Sequence, residues 1–259
     1  MALIECSLRE KTGVLTLNRP DKQNSLNREL MQELMTGIGA LVAQDVHVLV
    51  IRAAPGAKVW SSGHDINELP EPRRDPLACF DALETLLRTI QDCPLPVIAM
   101  VEGSVWGGAC DLCFSCDLVV AARGSSFAMT PAKLGIPYNA SGLIHFTSLI
   151  GVNKAKEMFF TAQPVPVEDA WNNGLVNHVV PADELEDFTL KMAATIAANA
   201  PLAVRALKKE FRLLMRGHSI DAETADRIEA IRRKVYDSDD YAEGIRAFKE
   251  KRPPRFTGK

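Results

Sequence analysis

The sequence predicts an α/β fold in which short strands alternate with helices, followed by a helical C-terminal region. Two patterns carry that prediction. Short Val-, Leu- and Ile-rich segments bounded by turn or charged residues alternate with stretches whose apolar residues recur every three or four positions. After about Pro201 the strands stop and long charged helical segments take over. Strands that alternate with helices favour largely parallel pairing. The recurrence of strand, Gly-rich turn and helix suggests β-β-α turns stacked in layers.

The expected strands are Ile4–Arg9, Val14–Asn18, Val46–Arg52, Val97–Val101 and Leu118–Ala121. Helical spacing runs from Asn27 to about Val42, from Pro76 to Gln91, and from the Gly107-Gly108 pair to about Cys116. Leu202–Arg216 and Ala222–Tyr236 read as long surface helices. A last helix, Asp240–Lys251, is stopped by Pro253 and Pro254. No Gly-, Pro- or Ser-rich linker divides the chain.

With 259 residues, 47% of them hydrophobic and 24% charged, the chain can bury a large core, which excludes a disordered reading. A net charge of −3 offers no field for wrapping nucleic acid, yet leaves room for a local basic cluster around a small anion. No membrane span and no secretory leader is visible, so a reducing cytoplasmic setting is expected. The six cysteines are Cys6, Cys79, Cys93, Cys110, Cys113 and Cys116. The last three lie at spacings of three in an apolar run with no histidine pair nearby. They are expected to pack as small apolar side chains and to hold no metal.

Chemistry points to two segments, Ser61-Ser62-Gly63-His64-Asp65-Ile66 and Val101-Glu102-Gly103-Ser104-Val105-Trp106-Gly107-Gly108-Ala109. Each leaves a strand and enters a loop or helix. Glycines there let the backbone approach a ligand, and a helix start presents free N–H groups. Two N–H groups aimed at one point can hold a developing oxyanion. Either segment alone would be an ordinary tight turn.

Together with Asn18-Arg19-Pro20-Asp21-Lys22-Gln23-Asn24-Ser25-Leu26, Ser115-Cys116-Asp117, Phe127, Leu134-Gly135-Ile136-Pro137 and the C-terminal Lys251-Arg252-Pro253-Pro254-Arg255-Phe256, they occur in the order of one family. Over nearly its whole length the chain resembles the crotonase, or enoyl-CoA hydratase/isomerase, superfamily. The resemblance implies a spiral of β-β-α turns over residues 1–200 and a helical oligomerisation region over 201–259, with trimers or hexamers (dimers of trimers) as the assembly. It places the oxyanion hole at the backbone N–H groups of His64 and Gly108, and coenzyme A near Lys22, Asn24, Ser25, Leu26, Gly63, Asp65 and Ile66. Phe248 and Lys251 are expected to reach a ligand in a neighbouring subunit.

Hydratases of this family carry two glutamates. The position of one is Asp111 here, a methylene shorter, and the position of the other is Pro131, which transfers no proton. A general base must come within about 3 Å of its proton, so hydration is disfavoured. Decarboxylation needs no such base. A further match runs through Gly63-His64-Asp65-Ile66-Asn67-Glu68-Leu69-Pro70, Met100–Ala109, Met129-Thr130-Pro131, Tyr138-Asn139 and Val235-Tyr236-Asp237-Ser238. It is to the branch of the family that converts methylmalonyl-CoA to propionyl-CoA without a metal, biotin or pyridoxal phosphate. By that resemblance Tyr138 orients the substrate carboxylate, Thr130 adds a hydroxyl, Asp111 lines the substrate pocket or faces away, and Trp106 packs beside it. Glu102 is expected to satisfy backbone donors. His47, His145, His178 and His218 have no assigned role. The alternatives are a hydratase or isomerase using Asp111 alone, and a thioester-binding protein without catalysis.

Overall fold

The computed structural model describes residues 2–69, 75, 81–215 and 222–257. Pro70, Cys79, Arg216, His218 and the start of the expected 76–91 helix lie outside them. The chain runs β1 (Ile4–Arg9), β2 (Thr12–Leu17), α1 (Arg28–Val42), β3 (Val48–Ala53), β4 (Val59–Ser61), α2 (Ala82–Asp92), β5 (Val97–Val101), β6 (Ser104–Trp106), α3 (Gly108–Phe114), β7 (Leu118–Ala122) and β8 (Ser126–Ala128). It continues as α4 (Ala140–Thr161), β9 (Val165–Pro166), α5 (Val167–Asn172), β10 (His178–Val180), α6 (Leu185–Ala197), α7 (Pro201–Met215), α8 (Ala222–Tyr236) and α9 (Asp239–Lys249).

The pairs β3-β4, β5-β6 and β7-β8 each give one strand to each of two sheets. The larger sheet has the order β1-β2-β3-β5-β7-β10 and the smaller β4-β6-β8-β9. Among the described residues only β1 on β2 and β8 on β9 are antiparallel. This is the expected crotonase-like spiral of β-β-α turns. The inner strands of the larger sheet, β2, β3, β5 and β7, are covered on both faces, so alternate residues enter different cores. Leu49 and Ile51 of β3, with Ala99 of β5, join the main core, while Val48, Val50, Ile98 and Met100 pack with Leu185 and Ala193 of α6.

The sequence reading passes over β4, β6 and β8, because three residues are too few to show a period. It also passes over α4 and α6. Observed ends elsewhere differ by a few residues: β2 ends at Leu17, β3 begins at Val48, α3 stops at Phe114 and α9 at Lys249. α9 turns back onto the core. An added Cβ at Gly244 would lie 2.3 Å from the carbonyl oxygen of Leu134. That contact seats α9 against the short 3₁₀ turn Pro131–Leu134, which forms part of the site wall.

Candidate active site

β4 delivers the chain to Gly63, which has φ of 85°. An added Cβ there would meet the Trp106 carbonyl oxygen at 2.4 Å, so glycine alone lets the two loops touch. His64 is fixed on both sides. Leu26 N donates to Gly63 O at 2.8 Å, and Asp65 N donates to Leu26 O at 3.0 Å. β6 delivers the second loop, and α3 starts at Gly108 without a side-chain cap. The same glycines show how close the two backbones lie. A Cβ at Gly108 would sit 3.8 Å from His64 N, and one at Gly63 would sit 3.3 Å from Gly108 N. Among the described residues neither N–H donates a hydrogen bond within the chain. Two neighbouring uncommitted donors, one at a helix start, form a site for negative charge.

They open on a cavity of about 530 Å³. His64, Gly108, Trp106, Thr130 and Tyr138 all line it, as do Lys22, Ser25, Asp65, Ile66 and Phe248. Phe248 lines the cavity of its own chain, because α9 folds back. Lys251 is absent from the wall. Asn24 and Leu26 stand behind it. Asn24 accepts from Arg19 N at 2.9 Å and donates to Trp60 O at 3.0 Å, and Leu26 is wholly buried. Gly63 shapes the wall without lining it.

The wall also holds residues that sequence reasoning missed, chiefly Arg19, Lys133 and Leu83. Arg19 Nη1 bonds Asp65 Oδ2 at 2.8 Å and Ser25 Oγ at 2.7 Å, which ties the 19–25 loop to the His64 loop. Burial opposes ionisation of Asp65, but Arg19 and the Asn67 amides outweigh it and hold the carboxyl below its ordinary value. The His64 side chain is largely buried. Its Nε2 is buried with no hydrogen-bond partner, and Asp81 Oδ1 stands 3.7 Å away. Burial works against a charged ring, yet Asp81, the Asp65 carbonyl and Glu68 together raise its pKa.

Asp111 does not line the cavity. It is 1% exposed and accepts from Tyr138 Oη at 2.7 Å and from His145 Nδ1 at 3.0 Å. The carboxylate therefore faces away from the ligand space and toward α4. Burial, then Asp111, pushes the Tyr138 phenol well above its usual range, so it is a neutral donor. Glu84 lies close by, bonded by Asn139 and Ser141. Its carboxyl is raised by burial, with the Asp111 charge adding to that against the pull of Asn139. His145 and Glu84 carry no motif. Only the three-dimensional approach of α2 and α4 to Asp111 reveals them.

Cys110, Cys113 and Cys116 pack in the core as small side chains, and the Cys110 thiol donates to Val105 O at 3.3 Å. Glu102 accepts from Gly56 N at 2.8 Å, a turn donor.

The enoyl-CoA hydratase/isomerase family model matches residues 9–259. The chain belongs to the enoyl-CoA hydratase/isomerase family. Within that family it is 46% identical over 248 residues to methylmalonyl-CoA decarboxylase of Escherichia coli, covering 96% of this chain and 95% of that one. It is 32% identical to the short-chain-enoyl-CoA hydratase of Clostridium acetobutylicum, covering 93% and 92%. Among solved structures, methylmalonyl-CoA decarboxylase complexed with 2S-carboxypropyl CoA superimposes with a TM-score of 0.98 at 44% identity, covering 100% of this chain and 99% of that one.

Proposed function

We propose that this family member decarboxylates methylmalonyl-CoA to propionyl-CoA. The observation that carries the reading is the pair of uncommitted N–H groups at His64 and Gly108 beside a cavity to which neither of the family's two acid positions presents a carboxylate. Pro131 occupies one acid position, and both oxygens of Asp111 are engaged behind the cavity. The 46% identity to a decarboxylase supports the same reading over that of a hydratase.

The thioester carbonyl oxygen points between the two N–H groups. The bond to the departing carboxylate stands perpendicular to the thioester plane. Its electron pair flows into the carbonyl as CO₂ leaves, and the enolate oxygen gains its charge where both donors wait. Each such donor is worth about 3 kcal/mol of barrier. The α-carbon then takes a proton. A second anionic base near the carboxylate would repel it by about 4 kcal/mol at 4 Å and an effective dielectric of 20, which makes its absence an advantage. Thr130 and Tyr138 offer hydroxyls to the carboxylate instead.

Arg19, Lys22 and Lys133 give the cavity a cationic wall suited to the coenzyme phosphates, while Asp65 and Ile66 border the adenine. No metal or prosthetic group enters this mechanism. A cytoplasmic location fits a reaction on a coenzyme A thioester, and among the described residues no helix is long and apolar enough to cross a membrane. The assembly is a trimer or a dimer of trimers. In its support, Leu202, Phe211 and Leu214 of α7 are 80%, 67% and 76% exposed in the single chain.

Purified, dialysed protein given methylmalonyl-CoA should form propionyl-CoA, followed by chromatography, with crotonyl-CoA run in parallel. Water addition to crotonyl-CoA with no propionyl-CoA formed would replace this reading by that of a hydratase using Asp111.

A further inference from the structure

The phenol of Tyr138 has one proton and, once an acidic acyl group is bound, two acceptors. In the structure the proton goes to Asp111 Oδ2. When Tyr138 turns it toward a substrate carboxylate, that oxygen loses its donor at a position only 1% exposed, where water cannot replace it. An ionised carboxylate buried without donors is strongly unfavourable. Among the described residues the other side-chain donor to Asp111 is His145, whose Nδ1 lies 3.0 Å from Oδ1. A carboxylate only accepts, so Nδ1 carries a hydrogen in this contact. His145 projects from α4, the helix that follows directly on Tyr138 and is capped by Asn139, so one element sets both groups. A second buried acid, Glu84, is also coupled to Asp111, which makes loss of any donor there costlier.

We propose that His145 is a specificity-determining positioning residue: it holds Asp111 from behind, which frees the Tyr138 hydroxyl to serve a carboxylate on the acyl group. Without His145, Asp111 keeps the proton of Tyr138 and the cavity turns an oxygen lone pair toward the substrate carboxylate. Thioesters that lack the carboxylate are unaffected, because they ask nothing of Tyr138. The proposal rests on the decarboxylase reading and names the residue behind its preference for an acidic acyl group.

The test compares two ligands in three proteins. Wild type, His145→Phe and His145→Asn are assayed for kcat and KM on methylmalonyl-CoA, and for Kd of propionyl-CoA by calorimetry. Asn places its amide nitrogen, like Nδ1, one bond from Cγ, so it restores the donor without the ring. His145→Phe should raise KM for methylmalonyl-CoA by about tenfold, the size expected for one unsatisfied buried acceptor (about 1.4 kcal/mol). Kd for propionyl-CoA should stay within about twofold, and His145→Asn should recover most of the lost KM. Equal weakening of both ligands in His145→Phe, or an Asn variant as poor as Phe, would reduce His145 to a packing role and overturn the proposal. An unchanged KM in His145→Phe overturns it as well. A wild-type protein that releases no propionyl-CoA would instead sink the decarboxylase reading itself.

Discussion

Tyr138 donates its hydroxyl proton to Asp111 across 2.7 Å, and both side chains are buried. The phenol on the cavity wall is thus held by an acid that does not itself line that wall. Removing the hydroxyl acts twice: it takes a polar group from the cavity and leaves Asp111 with only the His145 donor. Tyr138→Phe should cost about 1–3 kcal/mol of stability from the buried carboxylate oxygen that loses its donor, and should lower kcat more than it weakens thioester binding. Adding Asp111→Asn should return part of the stability, with a coupling of about 0.5–3 kcal/mol in a double-mutant cycle by chemical denaturation. Additive effects would mean that the contact has no energetic weight.

The two glycine loops give the second expectation. Gly63→Ala meets both a positive φ and a carbonyl oxygen at 2.4 Å, so the loops must separate. Gly108→Ala meets only the end of the Leu83 side chain, at 2.7 Å, which can turn aside. Gly63→Ala should therefore lower kcat by about 10²-fold or more through loss of the aligned donors. Gly108→Ala should be the milder change in the same assay. The reverse order would show that the spacing of His64 and Gly108 does not govern catalysis.

How far these relations were readable beforehand depends on what encodes them. The Gly63-His64 and Gly107-Gly108 pairs stood out because a close backbone contact demands glycine, but either alone reads as a tight turn, and only the family resemblance gave them a role. Tyr138, Thr130 and Phe248 were legible only through the family resemblance. His145 and Glu84 were not, because a hydrogen bond between α4, α2 and α3 imposes no spacing along the chain. Strands β4, β6 and β8, which aim the loops, escaped for a simpler reason: three residues carry no measurable alternation. The place of Phe248 on the cavity of its own chain was not legible, because α9 is held on its own core by backbone contacts at Gly135 and Gly244, which composition does not announce.

His64 and Asp81 make a pH-dependent pair. The imidazole titrates above its free value of about 6.5, since Asp81 and its neighbours outweigh burial. Its contribution to stability is therefore complete below that value and is lost as the pH rises through the raised one. Burial opposes the charge on Asp81 too, but His64 and the first amides of α2 hold its carboxyl below the ordinary range. That share is present above about 3.9 and is lost as the pH falls through the lowered value. Following the His64 ring by NMR, Asp81→Asn should move its titration to lower pH. Coincident titrations in the two proteins would dissolve the pair.

The C-terminal segment is fastened to α9 through two acids, Asp240, which accepts from Thr257 N at 2.6 Å, and Glu243, which makes the larger cluster. Glu243 accepts from both Nη atoms of Arg252, from Arg246 and from the backbone N–H of Arg255 at 2.9 Å. Arg252 and Arg246 hold its carboxyl far below the usual range, so the clamp is present above about 4.3 and weakens only as strong acid is approached. Phe248 sits on the same helix, five residues beyond Glu243, and lines the cavity. Loosening the clamp should therefore be felt at the ligand and not in the chemistry. Glu243→Gln keeps the shape but gives up the charge that Arg252 and Arg246 share. We expect KM for the thioester to rise several-fold with kcat little changed, and proteolysis to reach the 250–257 segment sooner. A fall in kcat at constant KM would place Phe248 outside the binding wall and make the clamp a matter of stability alone.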